Sequence, residues 1–170
     1  MFEKSYLFKG KHAEIVKRLT SPLEPGKDQK FQIFERYVDV LECGAIVGFN
    51  YGLMADEDTK GEISPAEIPV NTMCNEQQRI LFIYKVIMLN ETQRGLSDEE
   101  RIDNAFRFID ENNETVQDNL KLFYQYVRGG IEKLDDLFGA ATTRDDVIEV
   151  MKTLLDDAFH AGEEIIDIVN

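Results

Sequence analysis

Cysteine is scarce in this 170-residue chain, and it has no long apolar run. Its two cysteines, Cys43 and Cys74, lie far apart in sequence and form no CxxC pair, so we expect free thiols. The longest apolar stretch, Ile80–Leu89, contains Lys85 and is much too short to span a bilayer. The N-terminal stretch lacks the apolar core and the cleavage site of a secretory signal. The sequence therefore predicts a soluble cytoplasmic protein with no membrane partner.

Histidine is equally scarce, which limits the chemistry that the chain can perform. His12 and His160 are the only two, and neither falls in a recognisable triad spacing. On a continuous helix, His160 would lie three or four residues from four carboxylates, as in half of a di-metal bundle site: Asp156, Asp157, Glu163 and Glu164. A complete site needs a second such motif, and His12 has none. We expect no catalytic residue, no cofactor and no metal at this helix.

Basic residues are few beyond the N-terminal segment. Residues 1–36 carry a net charge of +3, whereas residues 37–170 carry −17, which gives −14 for the chain. Such a surface repels the phosphate backbone, so we expect no binding of generic duplex DNA. The same surface would suit solubility, docking to a basic partner, or imitation of nucleic acid.

Helical spacing dominates the first half of the chain. Residues 11–19 predict a short amphipathic helix, which a loop at 20–28 connects to a long helix from Phe31 to Gly52. Residues 53–72 predict an acidic loop. Asn75 and Gln78 then resemble a capping box that opens a helix, apolar nearly all round and central to the fold. Periodicity alone leaves a buried strand open for its apolar run, and the helix start would place Cys74 where a thiol can be mildly activated.

Capping signals divide the second half into three further helices. Gly95 stops one helix, and Ser97 and Glu100 form a capping box for a helix through Ile109. Asn112 or Asn113 opens a longer helix that Gly139 ends. Thr143 caps the last helix, whose apolar positions are expected to face inward: Val147, Met151, Leu154, Ala158, Ile165 and Ile168. The sequence thus predicts an all-α fold, one domain over residues 1–170 with about six helices in a bundle.

Five glycines occur inside the predicted helices, where each costs roughly 1 kcal/mol relative to alanine. Gly44, Gly48 and Gly52 are four residues apart and share one helix face. Gly129 and Gly130 lie in "FYQYVRGGIEKLDDLF", residues 123–138. Either the two helices cross closely at these glycines, with dispersion offsetting the cost, or the later helix breaks at 129–130. The apolar register continues through the glycine pair, which favours the close crossing.

Three segments carry a resemblance to a known family. The stretches "DVLECGAIVGFNYG" (39–52), "RILFIYKVIMLNETQRGLSDEE" (79–100) and "FYQYVRGGIEKLDDLF" (123–138) occur in this order. They resemble the small proteins encoded beside bacterial DNA phosphorothioation genes, the Dnd system-associated family, over about 100 residues. The matching positions of that pattern are Gly48, Phe49, Gly52, Tyr126, Gly129, Gly130, Ile131 and Leu134. The resemblance implies a place in phage defence and carries over no catalytic residue. The chain departs from the family in the acidic "LMADEDTKGE", which argues against a phosphate-contacting role for that loop.

The acidic loop also resembles a calcium-binding EF-hand in part. Asp56, Asp58 and Glu67 fall at positions 1, 3 and 12 of such a loop within residues 56–67. Lys60 occupies position 5, where an oxygen ligand belongs, so we expect a solvated loop without a metal.

The sequence as a whole favours a non-catalytic accessory protein that acts by contact with a protein partner in a phage-defence or DNA-modification locus. A calcium-binding module and an acidic nucleic-acid mimic are the alternatives.

Overall fold

The computed structural model describes residues 1–23, 31–59, 63–108, 110 and 113–169, with the backbone alone in 158–169. Over these residues the chain is mostly helical, with six helices and one two-stranded sheet. The elements are β1 (Tyr6–Phe8), α1 (Gly10–Leu19), α2 (Tyr37–Asn50), β2 (Ala66–Ile68), α3 (Val70–Asn90), α4 (Asp98–Phe106), α5 (Glu114–Phe138) and α6 (Arg144–Val169). The last helix passes His160 without a break in its backbone. None of the helices in the described ranges is both long and apolar enough to cross a membrane.

A short antiparallel sheet, which the periodicity did not predict, joins the N-terminus to the segment before α3. Its register pairs Tyr6 with Ile68 and Phe8 with Ala66. Phe8, Ala66 and Ile68 are buried, so one face of this sheet belongs to the core. The prediction of a loop over residues 53–72 was wrong at its C-terminal end, because this strand and the start of α3 both fall within it. Three-residue strands are too short for the alternation of apolar and polar residues to reveal them.

Two predicted helix starts were wrong. The second helix begins at Tyr37 instead of Phe31, and the backbone N–H of Arg36 donates to the Asp39 carboxylate 3.0 Å away. The third helix begins at Val70, directly after Pro69, so Asn75 and Gln78 lie inside it and form no capping box. Proline favours the start of a helix because it has no N–H to leave unpaired there. Cys74 consequently lies inside the helix rather than ahead of its N-terminus.

The predicted caps of the later helices are confirmed. Glu100 N–H donates to the Ser97 hydroxyl at 3.3 Å, and the Glu100 carboxylate accepts from Ser97 N–H at 2.8 Å, which completes the capping box. Asn113 accepts from Thr115 N–H at 2.8 Å at the start of α5, and Gly139 follows its last residue. Thr143 accepts from Asp146 N–H at the start of α6. The fourth helix ends at Phe106, earlier than predicted, and Ile109 lies outside the described residues.

Helix α5 runs unbroken through Gly129 and Gly130, so the predicted alternative of a break was wrong. A Cβ added to Gly48 would lie 1.9 Å from the Tyr126 carbonyl oxygen, and one added to Gly130 would lie 1.8 Å from that of Gly44. Alanine in place of either glycine would therefore force the two backbones apart. Gly129 instead faces the chain after α2, because its Cβ would lie 2.3 Å from the Leu53 oxygen. Gly52 follows the end of α2 with φ +63°, a left-handed conformation that favours glycine.

The core is one continuous cluster that extends from the N-terminal strand to the start of α6. Its centre is aromatic: the Phe2 ring lies 5.9 Å from that of Tyr84 and 5.5 Å from that of Phe123, centroid to centroid. The first residues of the chain are thus packed between α3 and α5. Helix α5, which contributes buried residues along most of its length, is the element against which α1 and α2 pack.

Candidate interaction surface

Helix α3 has an exposed apolar face, which corrects the prediction that this helix is central to the fold. Its inner positions Ile80, Tyr84 and Met88 are fully buried. Phe82, however, is 67% exposed, and Val86 is also exposed. A phenylalanine left largely in water contributes little to folding, and it becomes informative where it belongs to a contiguous apolar patch.

Helix α2 supplies the opposite wall of a groove along this outer side. Ile46 is 54% exposed and faces Phe82 and Ile83 across the groove. Phe49 and Val86 line the same groove further along, in a cavity of about 230 Å³. The helical period explains the arrangement, because Ile46 and Phe49 share a face with Cys43, and Phe82 shares one with Val86. We call this cleft the α2–α3 groove.

A second apolar cavity, of about 330 Å³, continues the surface from α2 to α6. Met151 and Leu155 of α6 line it opposite Cys43 and Ile46. Met151 was predicted to face inward, but it is 52% exposed. Val147 alone of the inward-predicted α6 residues is fully buried, and the side chains of Ala158, Ile165 and Ile168 lie outside the described residues. Tyr51, the residue after α2, donates to the Asp157 carboxylate of α6 at 2.8 Å.

Together the two cavities form one apolar surface on a single side of the molecule. We define the outer apolar face by its exposed members: Ile46, Phe82, Val86, Met151 and Leu155. They come from three helices that are distant in sequence. A contiguous apolar surface of this kind is characteristic of sites where another molecule binds.

A charged cluster closes the groove at the N-terminal end of α2. Arg36 pairs with Asp39 at 2.7 Å and with Glu76 at 2.5 Å, and Arg79 pairs with Glu76 at 3.1 Å and with Glu42. A hydrogen bond from Arg36 and the charges of both arginines lower the pKa of Glu76 below its usual value, although desolvation opposes this shift. This end of the groove has a volume of about 510 Å³ and is lined by Asp39, Glu42, Cys43, Ile46, Gln78, Arg79, Phe82 and Ile83.

Glu42 differs from the other carboxylates of this cluster. Only 5% of its surface is exposed, and its Oε2 accepts from Arg79. Its Oε1 is buried and has no hydrogen-bond partner within the described part of the chain. Burial raises the pKa of Glu42, with Glu76 and Asp39 adding to the effect and Arg79 opposing it. A buried acceptor without a donor is unfavourable. Because Glu42 lines this end of the groove, a turn of its carboxylate would bring this oxygen to a donor there.

The described residues of the acidic loop at 56–67, which was expected to hold no metal, are tied to other parts of the fold. Asp56 accepts from the Gln125 side chain at 2.9 Å, and Asp58 accepts from Lys11 N–H at 2.9 Å. Glu67 is exposed on β2, opposite Leu7, whereas an EF-hand places its twelfth residue at the start of a helix. Residues 60–62, including Lys60, lie outside the described residues. Within the described ranges, no group of three or more potential metal ligands occurs. The side chains of His160, Glu163 and Glu164 are not among those that the structure describes.

The two cysteines occupy different environments. Cys74 is exposed on α3. Cys43 is half-buried beneath the groove, and burial raises the pKa of its thiol to about 11. A thiol with that pKa is almost entirely protonated at neutral pH and is a poor nucleophile.

Buried polar groups, which helical periodicity did not single out, connect the helices from within. The buried His12 contacts Glu132 of α5 at 2.8 Å through Nε2, and Lys11 pairs with the same carboxylate at 2.8 Å. Desolvation lowers the pKa of His12, although the hydrogen bond to Glu132 opposes the shift. After α3, the fully buried Glu91 accepts from Arg94 at 2.9 Å, and Arg94 also donates to Asn119 at 2.8 Å. These contacts hold loops and helices in place, and each lies away from the outer apolar face.

Comparison of the chain with protein-family models, with curated protein sequences and with solved structures finds no match. The resemblance to the Dnd system-associated family therefore stays a prediction.

Proposed function

We propose that this protein is a non-catalytic accessory protein that acts by contact with a protein partner through the outer apolar face. The observation that carries the proposal is the position of that face. Phe82 and Ile46 are more than half exposed, side by side, on helices that also bury a full core on their other sides. Burying such side chains against a partner gives about 25 cal/mol for each Å² removed from water, which makes the face a natural binding surface.

The sequence resemblance suggests where this protein acts. Because its three segments resemble the Dnd system-associated proteins, we propose a cytoplasmic role in a bacterial phage-defence or DNA-modification locus. The net charge of −17 on residues 37–170 makes generic duplex DNA an unsuitable partner. A protein encoded in the same locus is a more suitable one.

We propose further that α2 and α5 form a glycine-lined close crossing, which keeps the binding surface rigid. The close approach of Gly48 to Tyr126, and of Gly130 to Gly44, supports this view. Gly52 and Gly129 act outside the crossing, at the turn after α2. A rigid platform reduces the conformational entropy that is lost when a partner binds.

The test is co-purification with each protein encoded by the genes that flank this one. Ile46→Asp and Phe82→Asp place a charge in the centre of the outer apolar face, and each should abolish a complex that the parent forms. Ile102→Asp is the matched control, since Ile102 is an exposed apolar residue of α4 outside this face. Circular dichroism melts of all variants establish that they remain folded. If the complex survives both substitutions on the face, or is lost equally with Ile102→Asp, the proposed surface is wrong.

A further inference from the structure

We propose that the α2–α3 groove receives a basic amphipathic helix of the partner, and that the Glu42 carboxylate turns so that one arginine or lysine of this helix donates to its Oε1. The inference rests on the proposed function and adds the chemistry of the partner.

The shape of the groove fits a helix. Its α2 wall runs from Asp39 to Asn50, about 16 Å at 1.5 Å per residue, or three helical turns. The α3 wall runs in the same direction, because Gln78 lies at the end near Asp39 and Val86 at the end near Asn50. A groove between two helices with an apolar floor accommodates the apolar face of a third helix, anchored at positions i, i+3, i+4 and i+7.

The charges at one end of the groove select a positive group. Three carboxylates, those of Asp39, Glu42 and Glu76, meet two guanidinium groups there, those of Arg36 and Arg79. Among the residues that the structure describes, Oε1 of Glu42 is the acceptor in this cluster that lacks a donor. A cation next to the apolar anchors of the incoming helix would supply that donor and balance the remaining charge.

The overall charge argues against a second copy of this chain as the occupant. Each copy carries −14, and most of its negative charge lies in residues 37–170. Two such surfaces repel one another, whereas a basic helix is steered toward the groove.

Three synthetic 18-residue amphipathic peptides test the inference. They share one leucine-rich face and one tryptophan, and differ at one position beside that face, which holds arginine, its neutral isostere citrulline, or glutamate. Because the protein has no tryptophan, the fluorescence of the peptide reports binding directly. The arginine peptide should bind the full chain at least about tenfold more tightly than the citrulline peptide, the scale of one hydrogen bond between charged groups. The glutamate peptide should bind most weakly.

Substitution at the acceptor completes the test. Glu42→Gln should remove most of the preference for arginine, whereas Glu99→Gln, which removes an exposed charge on α4, should leave it unchanged. The arginine–citrulline contrast on the parent decides the matter even if Glu42→Gln does not fold.

Three results would overturn the inference and leave the proposed function intact. In the first, arginine and citrulline peptides bind equally. In the second, no peptide binds although Phe82→Asp disrupts a complex with a flanking-gene protein. In the third, sedimentation equilibrium shows a dimer of the parent that Phe82→Asp dissociates, so that a second copy occupies the groove. By contrast, failure of every substitution on the outer apolar face to weaken any complex would refute the proposed function itself.

Discussion

Alanine at Gly48 probes one of the points where the backbones of α2 and α5 face each other. The added Cβ would lie 1.9 Å from the Tyr126 carbonyl oxygen and 2.9 Å from the Gly130 nitrogen, whereas an ordinary contact begins near 3.4 Å. The helices must therefore separate by about 1.5 Å locally, because both obstacles are backbone atoms and neither can rotate away. Such overpacking typically costs about 1–3 kcal/mol of unfolding free energy.

The sign of this effect is what makes the experiment decisive. In an ordinary helix interior, replacing glycine by alanine stabilises by roughly 1 kcal/mol. Here we expect Gly48→Ala to lower the melting temperature by roughly 2–12 °C, since 1 kcal/mol shifts a domain of this size by about 2–4 °C. Gly44→Ala is the graded control: its Cβ would lie 2.9 Å from its neighbours, one of them the movable Ile131 side chain, and the cost should be smaller. A Gly48→Ala protein that melts at or above the parent temperature would refute the reasoning.

Four further predictions concern ions, pH, thiols and DNA. Calorimetric titration with sub-millimolar calcium should show no heat of binding. Micromolar binding that Glu67→Gln abolishes would instead show that residues 56–67 bind calcium. The pKa of His12 is lower in the folded than in the unfolded state, so below about pH 6.5 the unfolded state binds more protons. The free energy of unfolding should therefore decrease as the pH is lowered. Urea titrations should show this decline in the parent and a flatter profile in His12→Gln. Iodoacetamide at pH 8 should modify Cys74 well before Cys43, as peptide mass spectrometry can measure, and equal rates would contradict the burial of Cys43. Electrophoretic shift of generic duplex DNA by micromolar protein at physiological salt would contradict the expected repulsion.

The parts of the fold that the sequence predicted well are those with local causes. Ser97 with Glu100, Asn113 and Gly139 each act on backbone groups within a few residues, so their patterns indicate helix ends directly. The predicted start of α2 at Phe31 was too early because that region keeps the apolar spacing of a helix. Its backbone groups form hydrogen bonds with other segments instead, as in the bond from Phe34 N–H to the Leu19 carbonyl oxygen.

Features that depend on distant contacts were not predictable in this way. The pairing of Tyr6 with Ile68 joins segments some sixty residues apart, and neither strand is long enough to show alternation. The exposure of Phe82 likewise depends on which neighbours cover α3. An apolar face that binds a partner has the same residue composition as one that packs in the core, so composition alone assigned it to the interior.

The burial of the first residues has a consequence for synthesis of the chain. Phe2 packs against Tyr84 and Phe123, and β1 pairs with a strand sixty residues later. Chains emerge from the ribosome N-terminus first, at about 5–20 residues per second. Phe2 must therefore remain without its native neighbours for at least about 6 s, until residue 123 has been made. During that interval the nascent chain exposes the aromatic segment around Phe2, which is therefore among the last parts to reach its native packing.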